Sequence, residues 1–238
     1  MTTELTPTNG TKNEVALVNV SDALTAYADG VAPQYIIGEM LRFSKGEYLI
    51  GERDKVPVGT TFTVNVDELM AGWLKWLNNK PVEHLMLRVI DGVVPKKRHE
   101  LGDLDTAQWE KDIKGEPKDP WQFTNYLPMM DEKGELYTFT TSSRGGIGAI
   151  AHLARQYAKH RKRHPDVFPL IKLNVDEYQH KIRELGWIKF PVFEPAGYAP
   201  KTDMLAALAT AGYAADVDLA PEDESEDPAD KLNDEIPF

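Results

Sequence analysis

Alternation of apolar and polar residues predicts strands in the middle of the chain. Phe62, Val64 and Val66 alternate with threonines and Asn65, the period of two that a strand with one buried face requires. Turn-forming residues separate this segment from two similar stretches before it. Short strands are predicted over 35–43, 47–51, 60–66 and 82–90. Several short strands joined by tight turns favour an antiparallel meander or a small barrel.

The next hydrophobic segments predict a hairpin that is rich in aromatic residues. Residues 121–129 and 135–141 flank a turn signal at 131–134. Aromatic side chains in a row along one face of a sheet are usually core residues. On an oligonucleotide-binding barrel, the same row forms a platform on which bases stack. Both interpretations are open for Trp121, Tyr137 and Phe139.

A helical period predicts a first helix over 67–77. Trp73 and Trp76 are three residues apart and would share one helix face with Leu69 and Leu77. Packing of these side chains on the sheet is one interpretation, and stacking on nucleic-acid bases is the other.

A second helix is predicted from Ser142 or Ser143, either of which can cap its N-terminus, to about residue 163. An apolar stripe at helical spacing supports it. The stripe consists of Ile147, Ile150, Ala151, Ala154 and Ala158. Closing strands are predicted at 167–175 and 187–193, with a helix over 176–185 between them.

These elements predict a β-rich α+β fold: an antiparallel oligonucleotide-binding-type barrel with inserted helices and a disordered acidic tail. An N-terminal arm (1–33) contains a short strand at 15–20 and a helix at 23–28, and its sequence indicates no function. The other expected segments are a nucleic-acid-binding core (34–200), a linker (201–215) and the tail (216–238).

The composition argues against several classes of protein. None of the 238 residues is cysteine, which excludes disulfides, thiolate zinc sites and cysteine nucleophiles. The six histidines form no HExxH-like set, and no Walker lysine motif, GxSxG or EF-hand loop occurs. We therefore expect no metal, no cofactor and no enzymatic activity. With no apolar run of about eighteen residues and no secretory start, we expect a cytoplasmic protein without a membrane span.

Charge is strongly segregated along the chain. The net charge is −11, but ten carboxylates against one lysine lie in 216–238, so residues 1–215 carry only −2. Residues 144–164 contain six Lys or Arg, three His and no acid. A nearly neutral body with one basic strip can bind a polyanion locally. The strip predicts DNA contacts by Arg144, Arg155, Lys159, Arg161, Lys162 and Arg163, with Trp73, Trp121, Tyr137 and Phe139 as stacking candidates. A smaller basic cluster lies at 96–99.

The start of the second helix permits a different interpretation. Residues 146–151 fit the pattern G-x-G-x-x-A, which cradles a pyrophosphate when it joins a strand to a helix in a dinucleotide fold. The surrounding pattern is antiparallel rather than repeated βαβ, and no acidic residue ends a second parallel strand at the required distance. The same turn, with Arg144 beside it, could instead bind a phosphate of DNA.

The end of the chain carries the most specific signal. The acidic tail cannot bury enough apolar surface to offset chain entropy, so we expect it to be disordered. Its tip places an aromatic ring beside a terminal carboxylate, a combination that can enter a small apolar pocket with a basic rim. The tip consists of Asp234, Glu235, Ile236, Pro237 and Phe238. This tail resembles that of bacterial single-stranded-DNA-binding proteins, and the resemblance is confined to roughly its last twenty residues.

The resemblance implies that the tip recruits replication, recombination and repair proteins. Combined with the basic strip, it predicts that the protein binds single-stranded DNA without sequence specificity. The type of protein expected is one encoded by a phage or a plasmid, and a homo-oligomer is compatible with this function. One alternative is an accessory or decoy protein that uses the tip without binding DNA. A small Rossmann-like enzyme is the third hypothesis.

Overall fold

The structure is a computed structural model that describes residues 35–51, 53–112, 115–179 and 186–213. The elements below belong to the unit that begins at Ile36. Predictions for the N-terminal arm (1–33), the tail (216–238) and residues 180–185 lie outside the described residues. The strands are β1 (Glu39–Ser44), β2 (Glu47–Ile50), β3 (Asp54–Val56), β4 (Thr61–Val64), β5 (Met70–Leu77), β6 (Lys80–Arg88), β7 (Trp121–Asp131), β8 (Leu136–Thr141), β9 (Val167–Gln179) and β10 (Trp187–Pro200). The helices are α1 (Arg144–Arg161) and α2 (Lys201–Thr210).

The ten described strands form one sheet in the order β10-β9-β4-β7-β8-β1-β2-β3, and β5 pairs with β7 and β6 beside this path. Every pairing is antiparallel except the parallel pairing of β1 with β8. The predicted β-rich α+β fold is therefore confirmed at the level of a mostly antiparallel sheet with two helices. The predicted strands at 35–51, 60–66, 82–90, 121–141, 167–175 and 187–193 all occur, with shifted bounds.

The two ends of the sheet approach one another through a tyrosine. The buried Tyr48 of β2 donates its hydroxyl to the carbonyl of Asn174 in β9, at 2.8 Å, and lies 3.4 Å from the carbonyl of Val192 in β10. Burial raises the pKa of this phenol well above its usual range. The sheet is thus strongly curved, with β1 and β2 close to β9 and β10.

Two clusters of buried side chains form the core. The larger cluster joins seven strands to Ile150 and Leu153 of α1. The smaller cluster contains Tyr157 of α1 and two residues of α2, Met204 and Leu208. Residues 201–210, predicted as part of a linker with one weak helix, form a helix that is packed into the core, because Met204 and Leu208 supply apolar side chains one turn apart.

Helix α1 forms where it was predicted, but its buried face differs. Ser143 is the N-cap, and its hydroxyl accepts a hydrogen bond from the backbone N–H of Gly146 at 3.1 Å. The buried face consists of Gly146, Ile150, Leu153 and Tyr157. Of the predicted stripe, Ile150 is therefore buried, whereas Ile147, Ala151 and Ala154 are partly buried and Ala158 is exposed. Large side chains bury more apolar area than alanines, so they decide which face turns inward.

The helix predicted over 67–77 is wrong. Val66–Glu68 form a 3₁₀ turn, and the following residues form β5, which pairs with β6 on one side and β7 on the other. Asn78 and Asn79 both have positive φ, 51° and 60°, and make a tight turn into β6. Pairing on both sides of β5 overrides the local helical period. Likewise 176–179, predicted as the start of a helix, belong to β9.

Candidate nucleic-acid interface

A basic strip runs along the exposed face of α1. At 3.6 residues per turn, Arg144, His152, Arg155, Lys159 and Lys162 all fall within an arc of about 80°. Ile150, Leu153 and Tyr157 point to the opposite side, where they are buried. All five members of the strip are exposed. The same spacing that buries the apolar side chains therefore aligns five basic side chains from the first turn of the helix to its C-cap.

The lysines and arginines of the strip, and the neighbouring Arg163, form no ion pairs with acidic side chains among the described residues. Within the described parts of the chain, no salt bridge joins an acid to Arg144, Arg155, Lys159, Lys162 or Arg163. Arg161 differs from the other predicted contacts, because its Nε lies 3.5 Å from Asp67 Oδ1. Asp67 also accepts a charge-assisted hydrogen bond from Lys201, at 2.6 Å. We therefore assign Arg161 to the contact between α1, α2 and the turn before β5.

A groove of about 940 Å³ opens at the N-terminal end of the strip. It lies between the β1–β2 turn, the first turns of α1 and the paired strands β9 and β10. Its basic lining residues are Lys45, Arg144, His152 and Lys189. Its aromatic lining residues are Phe43, Tyr178, Phe190 and Phe193. None of the described residues that line it is acidic, so the groove combines apolar ring surface with positive charge.

Two glycines let α1 begin against the wall of this groove. A Cβ at Gly145 would lie 2.7 Å from Cβ of Phe190, and a Cβ at Gly146 would overlap the side chain of Thr141. Only glycine permits this close approach. Gly148 faces open space, so the second glycine of the G-x-G-x-x-A pattern serves no packing role.

The topology around this turn is not that of a dinucleotide fold. Helix α1 connects β8 to β9, but among the described strands β8 neighbours only β7 and β1. The fingerprint needs a βαβ unit, in which the helix joins two parallel strands of one sheet. The described topology therefore does not contain the dinucleotide-binding unit that residues 146–151 would require, and Gly145 and Gly146 make close packing contacts.

Two of the predicted stacking residues are buried. Phe139 is 0% exposed and lies between the rings of Tyr48 and Phe193. Trp121 is 5% exposed, and its indole N–H donates to Asp103 Oδ2 at 2.9 Å. Neither ring can reach a base without unfolding of its surroundings. For these two side chains, the core interpretation is the correct one.

The other two predicted aromatics are partly buried by edge-to-face packing. Tyr137 contacts Phe62 with ring centroids 5.6 Å apart. Trp73 contacts Phe123 at 5.3 Å, and its indole N–H donates to the carbonyl of Lys96 at 2.8 Å. Tyr137 and Trp73 do not line the groove beside the strip. The predicted combination of these four aromatics with the basic strip is thus not assembled.

Two exposed aromatic residues of β9 and β10 were missed, and one of them lines the groove beside the strip. Tyr178 in β9 lines the groove and is 50% exposed, and its ring is 6.0 Å from that of Phe190. Trp187 at the start of β10 is 62% exposed. In a strand, Trp187 shares one face with Lys189, so the pairing of an aromatic with a cation on one face was the signal in the sequence.

Metal and membrane sites find no support in the described residues. They contain no group of three or more His, Asp or Glu side chains arranged to hold a metal ion. Neither of the helices in this part of the chain has the length and apolar character to cross a bilayer. The partner-binding residues predicted at 234–238 lie outside the described residues.

Comparison with known protein families, with curated proteins and with solved structures finds no match for this chain.

Proposed function

We propose that this protein binds single-stranded DNA without sequence specificity, along the basic face of α1 and in the adjoining groove. The observation that carries the proposal is the alignment of exposed basic side chains on one helix face, of which Arg144, Arg155, Lys159 and Lys162 form no ion pair with an acid among the described residues. Phosphates along a strand are evenly spaced anions, which a linear row of cations can neutralise. Such contacts position the strand and carry no sequence information.

The aromatic lining of the groove favours single-stranded DNA over duplex DNA as the ligand. Bases in a duplex are stacked on each other, whereas the bases of a single strand can stack on protein rings. Tyr178 and Phe190 supply ring surface in the groove, and Lys45, Arg144 and Lys189 supply charge for the flanking phosphates. Stacking tolerates every base, because each has a π face, so it fits binding without sequence preference.

The connectivity fits an oligonucleotide-binding-type barrel, which we propose as the finer description of the fold. In this proposal, β4, β7, β8, β9 and β10 are the five barrel strands. Strand β4 pairs with both β7 and β9, and α1 links β8 to β9. The curvature that brings Tyr48 to β9 and β10 supports a partly open barrel. In such barrels, strand faces and the loops between strands contribute to oligonucleotide binding, and Tyr178 near the end of β9 and Trp187 at the start of β10 would contribute here from the strands.

A salt titration with matched charge reversals tests the DNA proposal. With about four phosphates contacted, the logarithm of the association constant for oligo-dT should fall with log salt at a slope of roughly −3. Arg155→Glu combined with Lys159→Glu should weaken binding strongly and make that slope shallower by about 1.4. Lys96→Glu combined with Lys97→Glu changes the net charge equally but lies outside the strip, so it should have little effect.

Two results would overturn this proposal. One is a slope near zero for the wild type, because binding without salt dependence cannot rest on phosphate contacts. The other is a preference for duplex DNA over the single strand, because the groove would then have no role.

We also propose that the tail tip recruits replication, recombination and repair proteins in the cytoplasm. Its support is the resemblance of residues 234–238 to the tails of bacterial single-stranded-DNA-binding proteins. Deletion of Phe238 leaves the net charge unchanged and removes the aromatic anchor. It should abolish capture of a replication or repair enzyme that binds such tails, while DNA binding is retained. If the body fails to bind DNA and the tip still captures the enzyme, the decoy hypothesis replaces the first proposal.

A further inference from the structure

Three aromatic rings are stacked at the C-terminal end of α1. The rings of His160 and Tyr198 are almost parallel, with centroids 3.5 Å apart and an interplanar angle of 7°. His164 stacks on His160 at 4.6 Å and 25°. We call this arrangement of Tyr198, His160 and His164 the ring column. It joins the end of α1 to β10.

The turn after α1 fixes the outer ring of the column. The backbone N–H groups of Arg163 and His164 both donate to the carbonyl of His160, at 3.0 and 3.2 Å. These bonds fold the chain back at the helix end and hold the imidazole of His164 over that of His160. The outer ring is therefore positioned by the backbone rather than by a flexible side chain alone.

Exposure differs between the middle and the ends of the column. His160 is partly buried between its two neighbours, whereas His164 is exposed and Tyr198 is 44% exposed. Burial and the neighbouring imidazole of His164 lower the pKa of His160, which favours the neutral form of this ring. A neutral imidazole stacks on other rings without adding a charge that must be hydrated.

The column lies at the far end of the basic strip. Lys159, Lys162 and Arg163 are close to His160 and His164 in the sequence and are exposed, and no acid pairs with them in the described parts of the chain. From Arg144 to Lys162, α1 spans about 27 Å at 1.5 Å per residue. A strand that enters at the groove and follows the strip would therefore reach His164 as it leaves the helix.

We propose that the outer face of His164 is a second nucleobase-stacking site, which receives a base of the single strand after the basic strip. The inference rests on the proposed DNA binding and extends it to a ligand position about one helix length from the groove. The ligand class is a nucleobase flanked by phosphates, since a flat ring ends the column and cations surround it. Any base can occupy the site, because only its π face is used.

Oligonucleotide length and ring replacement test this proposal. Oligonucleotide-binding folds occupy about 4–16 nucleotides, so oligo-dT of about 5 and about 15 nucleotides distinguishes the groove from the full path. His164→Ala should weaken binding of the longer oligonucleotide by about fivefold or more, and leave the shorter one unchanged. His164→Phe should restore wild-type affinity, because it replaces the stacking surface. The matched control His99→Ala removes an exposed histidine outside the strip and should change neither affinity.

A fluorescent base then locates the contact. 2-Aminopurine at one end of the longer oligonucleotide should be quenched by stacking in the wild type and in His164→Phe, and regain its fluorescence in His164→Ala. Thermal unfolding of the three proteins should coincide, which separates lost stacking from lost structure.

The remaining outcomes distinguish failure of the proposed DNA binding from failure of the second stacking site. If the wild type does not bind oligo-dT at all, the proposed function itself fails. If the wild type binds with the expected salt dependence but His164→Ala binds both lengths as tightly as the wild type, the second stacking site is excluded. Equal weakening of both lengths would also exclude it, because the contact would then not lie at the end of the path.

Discussion

Two sides of the molecule use the same residue types in opposite ways. On the hairpin side, formed by β5, β6, the start of β7 and residues 93–112 and 115–120, several aromatic and basic side chains have internal partners. The indole N–H groups of Trp109 and Trp121 donate to the carbonyl and the carboxylate of Asp103, at 2.8 and 2.9 Å. Arg98 binds both carboxylate oxygens of Asp119 and the carbonyls of Gly102 and Asp103.

On the groove side, formed by α1, β9 and β10, the corresponding groups face solvent. Trp187 and Tyr178 are exposed, and the cations of the basic strip lack acidic partners among the described residues. Arg98 of the basic cluster at 96–99 and the cations of the strip therefore differ in their partners, because the carboxylate of Asp119 and two backbone carbonyls lie within hydrogen-bond distance of Arg98. A row of cations is available to a ligand only where the fold leaves it unpaired.

The largest difference should appear when one tryptophan is removed from each side. Trp121→Ala should destabilise the protein by about 3–5 kcal/mol, because it removes a buried ring and leaves a cavity. Trp187→Ala should change the free energy of unfolding by no more than about 0.5 kcal/mol, as expected for an exposed site. Chemical denaturation measures both. Equal destabilisation by the two substitutions would mean that the ring of Trp187 is a structural element like that of Trp121.

An arginine from each side sharpens the same contrast. Arg98→Ala should cost at least about 1.5 kcal/mol of stability, since Asp119 loses a charge-assisted partner, and should leave oligo-dT affinity unchanged. Arg155→Ala should leave stability within about 0.5 kcal/mol of the wild type. It should reduce the salt slope of DNA binding by about 0.7. A change in DNA affinity from Arg98→Ala that equals the change from Arg155→Ala would remove the distinction between the two sides.

The smallest effect concerns the pH dependence of the hairpin side. Hydrogen bonds from Lys75 and Trp121 hold the pKa of Asp103 below its usual range. The resulting stabilisation is present above the ordinary carboxyl pKa of about 3.9 and is lost as the pH falls through the lowered value. Because Asp103 is 38% exposed, water screens the pair, and Asp103→Asn should cost only about 0.2–1 kcal/mol at neutral pH.

Unfolding free energies of the wild type and Asp103→Asn should converge as the pH falls from about 5 to about 2, where the carboxyl becomes protonated. A difference that persists unchanged at the low end would assign the effect to the shape of the side chain rather than to its charge.

The sequence predicts strands well where the hydrophobic period and the turn-forming residues agree. It predicts them less well where pairing with a strand far away in the chain determines the local structure. β4, β7 and β8 follow a period of two or a clear hairpin signal. β5 was assigned to a helix because its tryptophans are three apart, but its pairing with β7 lies about fifty residues away in the chain. Gly72 was an overlooked sign, since a Cβ there would overlap the carbonyl of Leu85 on the neighbouring strand. The pair Asn78 and Asn79 was another, because both residues tolerate positive φ.

The candidate site was predicted in part for a related reason. The basic strip depends only on residues within one helix, so the spacing of Arg144, Arg155, Lys159 and Lys162 was sufficient. The exposure of an aromatic residue depends on what packs over it. Phe139 and Tyr178 cannot be distinguished without knowing that Tyr48 and Phe193 cover the first, and that the second lies at the mouth of the groove.

The contact of Tyr48 with β9 and β10 has a mechanical consequence. No backbone hydrogen bonds pair the described part of β2 with β10. The hydroxyl of Tyr48 instead bridges the boundary between β2 and the strands β9 and β10 by its hydrogen bonds. The groove lies across this boundary, with Phe43 and Lys45 on one side and Lys189 and Phe190 on the other. The width of the groove at this point is therefore set by side-chain contacts rather than by a backbone hydrogen-bond ladder.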